Sequence, residues 1–293
     1  MNIQWYPGHM TKTRRQIEAD LGQVDMVTEI IDARIPVSSR NPDIDELVGE
    51  KPRLIVLNRA DQADPQSNQV WSTYFRRKGY SVLETDAKTG KGVSRFAQAS
   101  RELLAEQLKR WQAKGQVGRP VRAMVVGVPN VGKSTFINQV AKRKSAKAGD
   151  RPGVTRGKQW VTVDQGLALL DTPGILWPKF EDERVGLHLA YTGAVKDDIM
   201  DMETLACHLM SDLAGRYAFA LEERYKVKIS PRQEGEDVVS YGFALLEEAA
   251  GKRGFRISGG ELDTERMSRI LLDEFRSGKL GNFTLELPEE EKK

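Results

Sequence analysis

A single cysteine, Cys207, among 293 residues leaves no partner for an internal disulfide. It fits a reducing compartment, where a lone thiol serves as a small buried side chain. No apolar run approaches the roughly eighteen residues that a membrane helix needs. The N-terminus, MNIQWYPGHM, lacks the charged-then-apolar pattern of a secretion signal. No internal repeat is visible. These absences point to a cytoplasmic chain with no membrane partner. What is present is 39% hydrophobic and 30% charged, which allows a substantial core and argues against global disorder. The length suits one large domain or two ordinary ones.

Charge is spread unevenly. Residues 1–199 carry 31 basic and 23 acidic side chains, and residues 200–293 carry 14 and 19. Between Gln139 and Trp160 seven bases (Lys142, Arg143, Lys144, Lys147, Arg151, Arg156 and Lys158) face one acid, Asp150. Such density suits a nearby polyanion. It equally suits a solvated surface beside a bound nucleotide, and charge alone does not choose.

Six short strands are expected before residue 175, at Met26–Asp32, Arg53–Asn58, Tyr80–Thr85, Arg122–Gly127, Gln159–Val163 and Leu167–Asp171. Most are rich in Val, Ile and Leu, as strands buried on both faces are. Helical patterns separate most of them, including Arg101–Ala113, so a mostly parallel sheet between helical layers is expected. Asp164-Gln165-Gly166 is a hairpin-length link, which makes the last pair antiparallel. Beyond Pro178 the pattern becomes helical. Leu205, Leu209, Leu213, Tyr217 and Leu221 form one stripe, Val238, Tyr241, Leu245 and Ala249 a second, and Met267, Ile270, Leu271 and Phe275 a third. The expected domains are 1–178, of α/β class, and 179–288, all helical, with a frayed tail at 289–293.

Three segments carry chemistry. Gly127-Val128-Pro129-Asn130-Val131-Gly132-Lys133-Ser134 follows a strand and opens a helix, the context a phosphate loop requires. The amides of Asn130, Val131, Gly132, Lys133, Ser134 and Thr135 can cradle phosphates. Lys133 can reach the β- and γ-phosphates, and the Ser134 hydroxyl can bind Mg2+. Asp171, ending the strand before Thr172-Pro173-Gly174, is placed to serve the same Mg2+, and Gly174 lets the backbone approach a γ-phosphate. Asn58-Arg59-Ala60-Asp61 also follows a strand. The Asp61 carboxylate can accept from guanine N1–H and the 2-amino group, neither of which adenine offers there. Arg59 stands where such motifs usually carry lysine, and its alkyl stem can pack on the base. Thr85-Asp86-Ala87-Lys88 can supply the Ala87 amide to guanine O6. Thr155, on a basic, glycine-bearing stretch between phosphate loop and Asp171, is the candidate to close over Mg2+. GTP and GDP are therefore the expected ligands.

The order is unusual, since the base-reading element precedes the phosphate loop. With Trp5–Met10, Asp32-Ala33-Arg34-Ile35-Pro36 and Pro152–Thr155 added, nearly the whole chain resembles the circularly permuted GTPases, specifically the YlqF family of ribosome biogenesis GTPases. The resemblance implies a Ras-like P-loop domain with a permuted six-stranded sheet, then a helical domain that contacts rRNA. It also implies late maturation of the large ribosomal subunit precursor as the task. GTP hydrolysis would be stimulated by that particle, and the protein would be monomeric apart from it. Ras-like enzymes orient water with a glutamine after Asp-x-x-Gly. Here the position is Ile175, which neither donates nor accepts. In the family the histidine matching His9 has been proposed instead. A structural His9 that caps or packs the N-terminus is the other reading. Asn130 matches a position linked in related GTPases to K+, and a loop asparagine bonded to its own backbone is the alternative. Two further readings of the chain stay open: an RNA-binding placeholder in which GTP only fixes conformation, and a GTPase acting on another RNA or at a membrane surface. His188 and His208 are expected to be packing or surface residues.

Overall fold

In the computed structural model, residues 9–142, 159–164 and 166–288 are described. They divide into two compact units, one formed by the chain up to Lys179 and again from Glu286, the other by Phe180–Leu285. The helical unit is expected to run to residue 288; in the structure it ends three residues earlier, at Leu285, and Glu286 finds hydrogen-bond donors in the first unit.

The first unit runs α1 (His9–Leu21), β1 (Met26–Asp32), α2 (Pro42–Val48), β2 (Arg53–Asn58), α3 (Pro65–Arg77), β3 (Ser81–Thr85), α4 (Phe96–Leu103), α5 (Ala105–Ala113), β4 (Val121–Val126), α6 (Lys133–Lys142), β5 (Gln159–Asp164) and β6 (Leu167–Asp171). The single helix expected over Arg101–Ala113 is two, broken at Leu104. Leu104 is buried there and takes a non-helical conformation. The sheet order is β3-β2-β1-β4-β6-β5. All neighbours are parallel except β5 and β6, which are antiparallel as their short link requires. Every residue of β1 and β2 is buried, which explains their near-continuous apolar sequences. The charges among them are paired: Glu29 accepts from Arg53 and Arg40, each at 3.2 Å. One layer of the core gathers Ile31, Ile55, Leu57, Trp71 and Phe75. Successive crossovers step from β1 through β2 to β3 on one side, and from β4 to β6 on the other. The crevice at the carboxyl ends of β1 and β4 is thus a topological switch point, where α/β sheets bind ligands.

The second unit contains α7 (Glu183–Tyr191), α8 (Met202–Tyr225), α9 (Val238–Lys252) and α10 (Thr264–Ser277). Leu205, Leu209, Leu213 and Leu221 are buried on α8, Tyr241, Leu245 and Ala249 on α9, and Met267, Leu271 and Phe275 on α10. Tyr217 departs from the stripe because α8 kinks there, and its hydroxyl donates to the Thr284 carbonyl at 3.0 Å. Each helix starts at an aspartate whose carboxylate accepts first-turn amides: Asp182, Asp201, Asp237 and Asp263. Part of this region's acidity is therefore helix capping, which complements the positive helix end. Cys207 and His188 are buried. Burial pushes the Cys207 thiol up to about 11, which makes it a packing residue rather than a nucleophile.

Candidate nucleotide site

The phosphate loop leaves β4 at the switch point and enters α6 at Lys133. Ser134 and Thr135 stand exposed in the first turn of that helix. Lys133 is buried, and its Nζ donates to the loop's own carbonyls, Gly127 at 3.0 Å and Val128 at 2.9 Å. Burial lowers its pKa to about 8, while the nearby Asp171 carboxylate pulls the other way. The ammonium is thus desolvated and aimed along the loop, the arrangement that makes a point charge strong toward phosphate.

Asn58 joins the separate motifs. Its Nδ2 donates to the Val131 carbonyl of the phosphate loop at 2.9 Å. Its Oδ1 accepts from the Thr85 hydroxyl and the Ala87 amide, both at 3.1 Å. One amide side chain, 2% exposed, therefore fixes the phosphate loop against both base-reading segments. Gly132 must be glycine here: its φ is +103°, and a Cβ would run into Asn58 Nδ2. The Ala87 amide, expected to serve guanine O6, is engaged by Asn58, so O6 would have to share it.

Arg59 has a left-handed backbone, φ 58°, which turns its guanidinium to the Asn130 carbonyl at 2.9 Å. Its Nε lies 3.7 Å from Asp32 Oδ2. The arginine thus clamps the phosphate loop, a role beyond packing on a base. Asp32 ends β1 and grips Arg34 with both oxygens, at 2.9 and 2.7 Å, and also takes the Arg34 amide at 3.0 Å. Burial pushes the Asp32 carboxyl up, but Arg34 and Arg59 outweigh it and hold it below its ordinary value. Asp32 and Arg34 had no assigned role from sequence. The available signal was an aspartate at the carboxyl end of a strand bordering the switch point. Asp61 is exposed at the end of its motif. Partial burial and the neighbouring Asp86 raise its pKa. Asp86 is occupied by its own turn, accepting from the Lys88 and Thr89 amides at 2.8 and 3.1 Å, and Lys88 points outward as an exposed side chain.

Across the loop, Thr172 donates to the Val125 carbonyl at 2.6 Å and the Ile175 amide to the Gly127 carbonyl at 3.2 Å. The Asp171–Ile175 segment is thereby laced to β4 and the phosphate loop. A Cβ on Gly174 would lie 2.7 Å from Pro129 Cα and 2.8 Å from its nitrogen, closer than backbone can yield. Ile175 is completely buried. The Asp171 carboxylate, which ends β6 and acts electrostatically on Lys133, and the Ser134 hydroxyl, next to Lys133 in the first turn of α6, are hard oxygen donors. That donor set suits Mg2+, which binds through one or two protein oxygens plus phosphates. Thr155, the basic residues 143–158, Trp5–Gly8 and the tail 289–293 lie outside the described residues, as does the His9 side chain. The His9 backbone is the first residue of α1, whose Met10 and Ile17 are buried.

The family described as 50S ribosome-binding GTPase matches residues 122–229. Ribosome biogenesis GTPase A of Bacillus cereus is 48% identical over 291 residues, covering 99% of this chain and 95% of that one. The protein of the same name from Priestia megaterium is 47% identical, covering 99% and 98%. Among solved structures, GNP-bound YlqF from T. maritima superposes with a TM-score of 0.62 at 26% identity, covering 95% of this chain and 99% of that one.

Proposed function

The chain belongs to the ribosome biogenesis GTPase A family, with that family's permuted fold and GTP hydrolysis in ribosome assembly. From that premise we propose that its partner is the large ribosomal subunit precursor. It contacts rRNA through the helical unit, promotes late maturation, and is stimulated in hydrolysis by the particle. The observation that carries the nucleotide-binding part of this reading is Asn58, which draws motifs from three parts of the chain into one site. The description of the matching family as 50S ribosome-binding supports the choice of particle.

In this reading Asp61 accepts from guanine N1–H and the 2-amino group, and the Ala87 amide is shared between Asn58 and O6. The amides from Asn130 to Thr135 hold the phosphates. Lys133 turns from the Gly127 and Val128 carbonyls toward them. Ser134, Asp171 and Thr155 would hold Mg2+, which when bound would supply charge neutralisation at the phosphates. Asn130, exposed within the loop, offers K+ an oxygen ligand. Buried Ile175 cannot orient water, and the family resemblance assigns that part to His9. The cytoplasm is the compartment, and no described helix is long and apolar enough to cross a membrane.

The test is a GTPase assay with and without purified large subunits, in K+ and in Na+. Turnover is expected to be low alone and to rise strongly with the particle and K+. An unchanged rate with subunits refutes the choice of partner. Buried Ile175 also favours a second reading, a placeholder that binds RNA while hydrolysis is incidental. Lys133→Ala protein that binds particles and is released as wild type would select it.

A further inference from the structure

The chain leaves the nucleotide unit after Lys179 and rejoins it at Glu286. Both passages touch one loop, residues 33–41 between β1 and α2. On the outgoing side the Asn41 side chain donates to the Ile175 carbonyl at 3.3 Å. On the returning side the Glu286 carboxylate accepts the Val37 amide at 2.6 Å, the Ser38 amide at 3.1 Å and the Ser38 hydroxyl. The Glu286 carbonyl accepts from the indole of Trp71 at 2.9 Å, and Trp71 is 1% exposed in the core. Main chain and side chain of Glu286 are therefore fixed by different elements of the same unit.

The loop that Glu286 holds also carries Arg34. Beside it, Ser39 Oγ accepts the Asp32 amide at 2.9 Å and donates to the Ile35 carbonyl at 2.7 Å, closing the turn around Asp32 and Arg34. Asp32 then faces Arg59, and Arg59 reaches the Asn130 carbonyl. The Val37 and Ser38 amides lie in a loop between β1 and α2, so one carboxylate taking both in succession is a strong local constraint.

We infer that Glu286 is a positioning residue for the nucleotide site. It holds residues 37 and 38 so that Asp32 and Arg34 keep Arg59 against the phosphate loop. The same residue is where the chain re-enters the nucleotide unit after the helical one. The inference rests on reading Asn58–Asp61 as the guanine pocket.

The test uses the full chain with Glu286→Ala, Glu286→Gln and, as a neighbouring control, Leu287→Ala, whose side chain is 52% exposed. Affinities for GDP and GTP come from fluorescent-nucleotide titration, and KM and kcat from unstimulated hydrolysis. Glu286→Ala is expected to raise both dissociation constants and KM about five- to tenfold with kcat within about twofold. Glu286→Gln keeps one acceptor oxygen and loses about two- to threefold, while Leu287→Ala is unchanged. Affinities within about twofold of wild type for Glu286→Ala, or a fall in kcat at constant KM, overturn the inference. If Glu286→Ala does not fold, Ser38→Ala must still raise KM about twofold, and an unchanged KM there is equally fatal. Asp61→Ala run in parallel separates the premise: guanine preference surviving in it removes the pocket reading, and this inference with it.

Discussion

Replacing Asn58 with alanine removes three hydrogen bonds at once, to the Val131 carbonyl, the Thr85 hydroxyl and the Ala87 amide. Val131, Thr85 and Ala87 are all nearly inaccessible, so each loses a partner that bulk water does not simply replace. A buried polar group left unsatisfied costs about 1–3 kcal/mol. Water entering the space vacated by the amide recovers part of this, which puts the loss at about 3–5 kcal/mol. That is a large share of a typical domain stability of about 5–15 kcal/mol. Urea unfolding with and without GDP measures it. The apo midpoint should fall, and the stabilisation by GDP, about 2.7 kcal/mol at one hundred times Kd, should largely vanish at the same GDP concentration. Thr85→Val removes one of the three contacts and should cost about 1 kcal/mol. In the Asn58→Ala background it should cost much less, giving a coupling energy of about 1 kcal/mol. An Asn58→Ala loss below about 1 kcal/mol, or strict additivity with Thr85→Val, would refute the view that this side chain binds the motifs together.

Gly174→Ala places a Cβ against Pro129 backbone, so it should separate the Asp171–Ile175 segment from the phosphate loop. GTP turnover should drop at least about tenfold, with a change in melting temperature of only a few degrees; wild-type turnover would show that the close approach is dispensable. Lys133 gives a pH signature. Its folded pKa, about 8, lies below the ordinary 10.5, so between those values the unfolded chain binds more protons. Apo stability should therefore rise from pH 8 toward 10.5, by about 3 kcal/mol, with the full penalty present below pH 8. Lys133→Met should lose that slope in urea midpoints taken across the range, and parallel profiles would contradict the burial argument.

The residue types of the candidate site and their places after strands are legible in the sequence. Phosphate loop, Asp171–Gly174 and Asn58–Asp61 were each legible because each needs particular residue types directly after a strand, and strands buried on both faces announce themselves by composition. Ile175 was legible as incapable of orienting water, since that follows from its side chain alone. Less visible were the cooperating groups. Leu104 sits inside a good helical pattern, yet packing breaks the helix there. Arg59 read as a platform for the base, but its left-handed backbone turns it toward Asn130.

Sequence alone determined the chemistry available, the strands that present it and the permuted order in which it occurs. Only the tertiary structure decided which groups support which. Asn58 meets Val131 across 73 residues, and Glu286 meets Val37 across 249. The reason is physical. A motif is a local requirement on backbone shape and functional group, and it is written in consecutive residues. A hydrogen bond between distant segments depends on the path of the sheet and on where the chain re-enters the unit. Residue type constrains neither of these, so a glutamate near the C-terminus carries no mark in the sequence of the loop it holds.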